Sequence, residues 1–440
     1  MGAGISAAER VTSMLEQSKI APGISWYQAS VLHRPEYVPL DGDVTCDVVI
    51  IGGGFTGLSA AYHLAEMGAS VCLIDGDRFG DGASGRNGGQ LGTGQREWAD
   101  DSASKMGFAR AKILFDLAEE AKAHLLGFAA AHDIDIDYIE GHISAGHKPR
   151  DAKTYRAHSE AMNKFNYPHL TFMEAPETQE KLGSSFYKFG VRDSKTGHIH
   201  PLKLLIGTAK MAAAAGAKLH EMTPATKIEK QGAKTIVTTP SGTIRAEKCL
   251  IATNAYNDGL EKITSAHIMP IRSFIGATVP LPDDLNILPA KESVDDSRFV
   301  VRYFRKTSDN RLLFGGREAY TADVPGDISI HIRRQIEEIY PALAGIEITH
   351  AWGGSVGITV PRTPFVRDVM PGVTSIGGYS GHGVMLSNFC GKLYADAIAG
   401  NRDRLQAFRE LKVPPFPGGQ TFRKPLLFFA LSWFAFLDRI

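Results

Sequence analysis

Three glycines and one acid supply the first chemistry the sequence offers. Gly52, Gly54 and Gly57 stand as G-x-G-x-x-G, and Asp75 follows 23 residues after the first of them. Glycine at the first place permits a tight turn, at the second lets backbone approach a pyrophosphate with no Cβ between, and at the third lets a helix pack on a strand. A carboxylate at Asp75 is placed to accept hydrogen bonds from a ribose diol. The chemistry is retention of a dinucleotide, its phosphates at a helix start where N–H groups and the positive dipole end point outward. A second glycine turn, Gly378 to Gly383 within GGYSGHGV, makes another positive helix end.

Glycine turns are common, so the fingerprint counts only in context. Asp47 to Ile51 is an apolar, β-branched run fit for a buried parallel strand, and an alanine- and leucine-rich helix follows to about Met67. Gly68 caps that helix, and Val71 to Ile74 form a second strand ending at the acid. Strand, turn, helix, strand and acid therefore occur in the order the motif requires. The glycine-rich stretch 77–95, DRFGDGASGRNGGQLGTGQ, has little that could build a core, and its place directly after the acid favours function.

Farther along, 107–132 has helical spacing, and 135–200 reads as short strands and loops. Pro201 opens a helix that stops at Gly216. Residues 226–256 read as a β-meander ending in the apolar strand Cys249 to Thr253, which returns the chain to its first domain. From Ile268 to His350 strands dominate, with a hairpin at Thr307 to Asn310 and a helix at HIRRQIEEIYPAL, so a second, antiparallel domain is expected. Residues 373–400 give strand, glycine turn and helix once more. Residues 4–17 have the spacing of a short amphipathic helix, and SWYQAS leads a clasp on the domain surface.

The 440 residues are enough for two or three domains. With 48 basic and 48 acidic side chains there is no broad electrostatic footprint for nucleic acid. Cys46, Cys72, Cys249 and Cys390 lie far apart with no zinc spacing, so no metal site is expected and the thiols read as small buried residues of a reducing, cytoplasmic compartment. PLLFFALSWFAFL, 425–437, is strongly apolar, yet as a helix it spans about 20 Å against a hydrocarbon core of ~30 Å. It is too short to cross a bilayer; docking onto the protein body competes with peripheral membrane contact.

The fingerprint IIGGGFTGLSAAYHLAE, then DRFGDGASGRNGGQ, IATNAY and GGYSGHGV together resemble the D-amino-acid-oxidase-like flavoenzymes. GASGRNGG, SWYQAS and RLLFGGR look most like the γ-glutamylputrescine oxidase branch. The resemblance covers about 25–415 and implies an α/β FAD-binding Rossmann-like domain, with a discontinuous α+β substrate domain built on a mainly antiparallel sheet. The expected division is 1–43 as helix and clasp, 44–100 with 190–260 and 365–415 for FAD, 101–189 with 261–364 for substrate, and 416–440 as an apolar tail.

The resemblance also implies that Gly52, Gly54, Phe55, Thr56 and Gly57 meet the pyrophosphate, and that Asp75, Gly76 and Arg78 lie by the adenosine ribose. Ala83, Ser84, Arg86, Asn87, Gly88 and Gly89 would run past pyrophosphate and flavin ring. Ala225, Ala252 and Thr253 would pass the adenosine. Gly378, Gly381, His382, Gly383, Val384 and Met385 would approach the flavin, whose reduced ring gains negative charge that a helix start stabilises. The family often has Glu at Asp75 and usually Gly at Asn254, and asparagine tolerates the left-handed backbone. Met385 replaces a lysine that helps bind a substrate carboxylate in the sarcosine-oxidase branch. That branch's flavin-linking cysteine has no counterpart in NRLLFGGRE, so non-covalent FAD is expected. The nearest lysine after IMPIRSFIG is Lys291, which leaves oxidase and dehydrogenase both open.

On this basis the activity is oxidation of a C–N bond in an amine by hydride transfer to flavin N5, the imine then being hydrolysed. The electron acceptor is O2 or a quinone, and the chain is a monomer or homodimer. An amino- or imino-acid oxidase or dehydrogenase, and a flavin-carrying subunit without turnover, are the rivals. Candidates for the reacting end are Arg272, Tyr303, Arg317, Trp352, Tyr379 and His382. Each has a plainer reading: solvated arginines, sheet packing for Tyr303 and Trp352, and backbone service for His382. His382 alone sits in a segment that reaches the flavin on independent grounds, which makes it first choice for tuning flavin or oxygen reactivity.

Overall fold

A computed structural model describes residues 23–298, 300–319 and 327–417, with backbone alone for 317–319. The expected helix at 4–17 and the apolar stretch 425–437 lie outside these residues.

Two eight-stranded sheets carry the fold. The first holds β1 (Val44–Ile51), β2 (Val71–Ile74), β6 (Lys218–His220), β7 (Lys227–Gln231), β8 (Lys234–Thr239), β9 (Gly242–Ile251), β15 (Phe365–Met370) and β16 (Val373–Gly377). Its order is β15-β16-β9-β1-β2-β6, with the β7–β8 hairpin joined to β9 through β8. β16, β9, β1, β2 and β6 run parallel, and in register Ile50 faces Leu73 on one side and Leu250 on the other. All three are fully buried, as expected of strands covered on both faces.

Helices Phe55–Glu66, Phe108–Ala131, Pro201–Ala214 and Gly383–Ile398 join this sheet in one apolar core. Helices Phe55–Glu66 and Gly383–Ile398 cross so closely that a Cβ at Gly391 would come within 2.3 Å of Thr56 O. Both helices begin at glycine turns, so the crossing fixes one turn against the other.

The second sheet holds β3 (Ile139–Gly146), β4 (Leu170–Glu174), β5 (Phe189–His198), β10 (Met269–Pro280), β11 (Ser293–Asp296), β12 (Tyr303–Lys306), β13 (Arg311–Ala319) and β14 (Ile348–Ile358). Its order is β14-β10-β13-β12-β11-β3-β5-β4, antiparallel except where β11 runs beside β3. The hairpin at Thr307 to Asn310 joins β12 to β13, with Asn310 at φ +61°. On the far face helix Ile328–Ile339 buries Ile328, Ile332, Ile336 and Ile339 against Phe274, Phe304 and Phe314. A helix of this length is marginal alone, and roughly 1.5–3 kcal/mol for each buried isoleucine is what holds it.

Short strands and loops expected over 135–200 give way in two places to helices, Ala152–Ala161 and Ala175–Leu182. The second has proline near its start and Gly183 at φ +67° as its stop, the same punctuation that marks 201–216. At the other end of the chain, SWYQAS forms helix Trp26–Ser30 closed by a Ser25/Gln28 capping box. Trp26 Nε1 donates to Asp309 Oδ2 at 3.3 Å, and Arg305 Nη2 donates to the Tyr27 hydroxyl at 2.9 Å, so this helix is pinned to the antiparallel sheet.

Candidate active site

β1 ends in a turn that only glycine fits. Gly52 has φ +112° and a Cβ there would sit 2.7 Å from Ala252 O, while one at Gly57 would sit 1.9 Å from Gly52 O. Helix Phe55–Glu66 therefore rests directly on the turn. Its N-cap, Gly54, offers no side-chain cap, and Phe55 N donates to Ser84 Oγ at 3.0 Å. Asp75, at the end of β2, accepts from Gly53 N at 2.6 Å and Asp77 N at 3.0 Å. Burial pushes its pKa up to about 7, against these backbone donors, which lower it. Gly76 and the Pro224–Ala225 turn lie side by side, since a Cβ on Gly76 would be 3.5 Å from Pro224 Cβ. Arg78 pairs with Glu36 at 3.4 Å and Glu221 at 3.9 Å.

The glycine-rich stretch wraps past that turn. Asn87 staples it, donating to Ala83 O and Ser84 O at 3.0 and 2.9 Å and accepting from Gly89 N at 2.8 Å. Arg86 is 3% exposed; its Nε donates to Gly353 O at 2.8 Å and Nη2 to Gly23 O at 2.9 Å. Burial lowers the Arg86 pKa. Arg305 Nε donates to Gly88 O at 2.7 Å, so the antiparallel sheet and the Trp26–Ser30 helix both steady this strap.

The second glycine turn meets the first. Asn254, at φ +49°, accepts from Gly378 N through Oδ1 at 2.8 Å, and the Tyr379 and Thr56 hydroxyls are 2.7 Å apart. Helix Gly383–Ile398 starts with His382 as N-cap and no side-chain cap. His382 Nε2 donates to Gly94 O at 3.1 Å, which places the ring proton on Nε2. Burial, helped by the positive Arg96, brings the His382 pKa down to about 4, so the ring is neutral at pH 7.

A cavity of about 310 Å³ opens between these turns and the antiparallel sheet. From the turns and strap it is lined by Gly54, Phe55, Thr56, Ala83, Ser84, Arg86, Asn87, Gly88, Gly89, Ala252, Gly381, His382, Gly383 and Val384, together with Tyr379 and Tyr303. The Tyr303 ring bridges sheet and strap: a Cβ at Gly315 would meet it at 2.2 Å and one at Gly88 at 2.9 Å. Gly52, Gly57, Asp75, Gly76, Arg78, Ala225, Thr253, Gly378 and Met385 are outside the lining. Gly52, Gly57 and Gly378 shape the turns from behind, and Met385 is wholly buried in the core.

Two expected reacting residues do not reach the cavity. Trp352 is wholly buried and its Nε1 donates to Arg86 O at 3.0 Å, so it props the strap from beneath. On β10 the inward positions belong to Ser273 and Ile275, which leaves Arg272 outside the lining. The side chain of Arg317 lies outside the described residues. Conversely, the sheet brings Ser273, His142 and Asp295 into the lining and the loop after the strap brings Arg96, none of which the sequence singled out. For Asp295 the local pattern shows only that Ser293 and Asp295 share one face of SVDD and Val294 lies on the other, not which face meets the cavity.

The residues fit FAD on structural grounds. Two helix starts whose N-cap residues supply no side-chain cap offer positive ends to one cavity, and Cβ atoms at Gly52, Gly57 and Gly378 would meet neighbours at 2.7, 1.9 and 2.4 Å. The family profile described as "DAO: FAD dependent oxidoreductase" matches residues 47–397. The chain is 61% identical over 427 residues to the probable oxidoreductase OrdL of Rhizobium meliloti (strain 1021), covering 97% of this chain and 100% of that one. It is 32% identical over 419 residues to the gamma-glutamylputrescine oxidoreductase of Escherichia coli (strain K12), covering 94% and 98%. Among solved structures, glycine oxidase from Geobacillus kaustophilus superposes with TM-score 0.70 at 23% identity, over 81% of this chain and 95% of that one. L-proline dehydrogenase from P.horikoshii does so with TM-score 0.71 at 21%, over 84% and 96%. These last two speak to the fold alone.

Proposed function

The chain belongs to the DAO family of FAD-dependent oxidoreductases, and from that premise we propose that it oxidises a C–N bond in a small amine, of the class that includes γ-glutamylated polyamines. The observation that carries this reading is the meeting of two uncapped helix starts and a polar sheet face at one cavity. The full-length likeness to a gamma-glutamylputrescine oxidoreductase supports the substrate class.

When bound, FAD supplies the acceptor for two electrons. The first turn and helix start would hold its pyrophosphate without a covalent link, and Asp75, Gly76 and Ala225 would serve the adenosine end. The second helix start would stabilise negative charge on the reduced ring. Neutral His382, fixed by Gly94 O, adds no charge of its own to that helix start. Tyr303 from the antiparallel sheet and Tyr379 from the second glycine turn both line the cavity, and their rings would exclude water from the amine. The overall reaction turns an amine into an imine, which water then hydrolyses.

Oxidation of an amino acid is the second reading, favoured by Arg96 and Arg362 in the cavity lining. One experiment separates the two. Under anaerobic conditions the yellow holoenzyme is mixed with polyamines, γ-glutamylated polyamines, L-pipecolate and D-amino acids, and absorbance near 450 nm is followed. Bleaching by the amines and not by the acids is expected. Bleaching by none favours a flavin carrier, and bleaching without reoxidation by air favours a dehydrogenase.

A further inference from the structure

The antiparallel sheet turns one polar cluster toward the cavity that the glycine turns do not require. On the paired strands β3 and β11, His142 stands opposite Ser293 and Ser144 opposite Asp295, so all four share one face of the sheet. His142 Nε2 lies 3.2 Å from Asp295 Oδ1, and its Nδ1 is 2.9 Å from Ser293 Oγ. Both ring nitrogens are engaged, so the imidazole has a fixed orientation. Asp295 differs in this respect. It keeps 38% of its side-chain surface open against 13% for His142, and that surface lines the cavity. It is also the one carboxylate among the lining residues, whose other charged groups include Arg86, Arg96 and Arg362.

We propose that Asp295 is the cation subsite of this cavity, accepting the N–H groups of a substrate ammonium, and that His142 is the positioning residue that aims its carboxylate. The proposal rests on the amine reading above and names the group that selects the amine. Nε2–H of neutral His142 donates to Oδ1 and Ser144 also hydrogen-bonds the carboxylate, while the open part of the Asp295 side chain lines the cavity. A protonated His142 puts a second cation against the same carboxylate and competes with the ligand.

The direction of the charges supports this arrangement. Burial acts against the His142 imidazolium, but Asp295, with Asp193 and Glu292 farther off, raises its pKa above the ordinary value. Burial acts against the Asp295 carboxylate too, and His142, Ser144 and Arg96 outweigh it and lower its pKa. The other groups facing the pair are His198 on β5, Tyr155 on helix Ala152–Ala161, and His382 on the second glycine turn. His198 is held well below the ordinary histidine value and His382 is brought down to about 4, so among these imidazoles His142 alone has its pKa raised. Cation affinity should therefore rise with pH as His142 loses its proton.

The test uses holoenzyme, with butylguanidine as a probe that stays charged throughout, and the best amine from the panel as substrate. Asp295→Asn is expected to weaken butylguanidine binding, read by thermal shift and by perturbation of the flavin spectrum, roughly ten- to a hundredfold, the scale of a lost charged hydrogen bond. KM for the amine should rise by a similar factor, with FAD content unchanged. His142→Ala should lose much of the affinity. His142→Gln, which keeps a donor toward Asp295, should restore it and abolish the rise with pH. Equal affinity in wild type and Asp295→Asn overturns the proposal. Failure of every amine to bleach wild type sinks the amine reading separately, because the butylguanidine arm needs no turnover.

Discussion

The parallel and antiparallel sheets reach the same cavity with different materials. The parallel sheet contributes main chain: two turns in which Gly52, Gly57 and Gly378 leave no room for a Cβ, and two helix starts whose N-cap residues supply no side-chain cap. The antiparallel sheet contributes side chains, Ser273, Tyr303, His142 and Asp295, on strands whose backbone is already paired. One half is set by where backbone can go, the other by which residues occupy positions on one face. A family can therefore keep its cofactor half while changing the other to suit new substrates. The two halves should also fail differently when mutated.

The largest effect is expected where main chain meets main chain. Gly57→Ala puts a Cβ 1.9 Å from Gly52 O, and Gly391→Ala puts one 2.3 Å from Thr56 O. Either must push a helix off its neighbour, on the order of 1–3 kcal/mol of strain, which is about ten- to a hundredfold in FAD affinity if the displacement reaches the turn. Purified variants should be colourless or lose FAD on gel filtration. A yellow Gly57→Ala protein with wild-type affinity would break the comparison at its root.

That contrast also explains what the sequence disclosed. Glycine at 52, 54 and 57 is legible because backbone geometry admits almost nothing else, and Asn254 could be read as left-handed for the same reason; it is, at φ +49°. Side chains on a sheet carry no such constraint. Trp352 and Arg272 looked as suitable as Tyr303, yet Tyr303 alone fills the gap between Gly315 and Gly88. His142 and Asp295 were passed over because a polar residue on a short strand is indistinguishable from a solvated one until the pairing of β3 with β11 is known. That pairing joins residues about 150 positions apart, beyond the reach of local pattern.

A middle-sized effect should sharpen the boundary between the halves. Tyr303→Phe removes a hydroxyl that lies 3.3 Å from Ser273 Oγ while keeping the ring between the two glycines. FAD content and melting temperature should stay near wild type, while kcat/KM for the amine falls severalfold, in line with about 1 kcal/mol for one hydrogen bond. Tyr379→Phe should do the reverse. It breaks the Tyr379–Thr56 link between the glycine turns and leaves the Thr56 hydroxyl buried, so it should lower melting temperature and FAD retention more than KM. Identical profiles for the two tyrosines would erase the distinction.

The smallest effect concerns acid. Burial depresses His382 and His124 to about 4 and His200 and His63 to about 3, so all four are neutral in the folded chain at pH 7. Unfolded, each takes up a proton near the ordinary value of about 6.5. As pH falls from there toward 4 the unfolded chain binds protons at these four sites that the folded chain refuses, so their contribution to stability falls with pH over that window, against the opposite and smaller contribution of Asp75, whose pKa is raised. His382 faces the cavity, so its share should be separable from the other three. His382→Asn, with no group to titrate, should flatten the decline of melting temperature between pH 6.5 and 4 by a fraction of its slope, and bound FAD should not change the sign. A variant as acid-sensitive as wild type would mean that the imidazole at this turn already takes up its proton in the folded state, and the second helix start would then carry a full positive charge beside it.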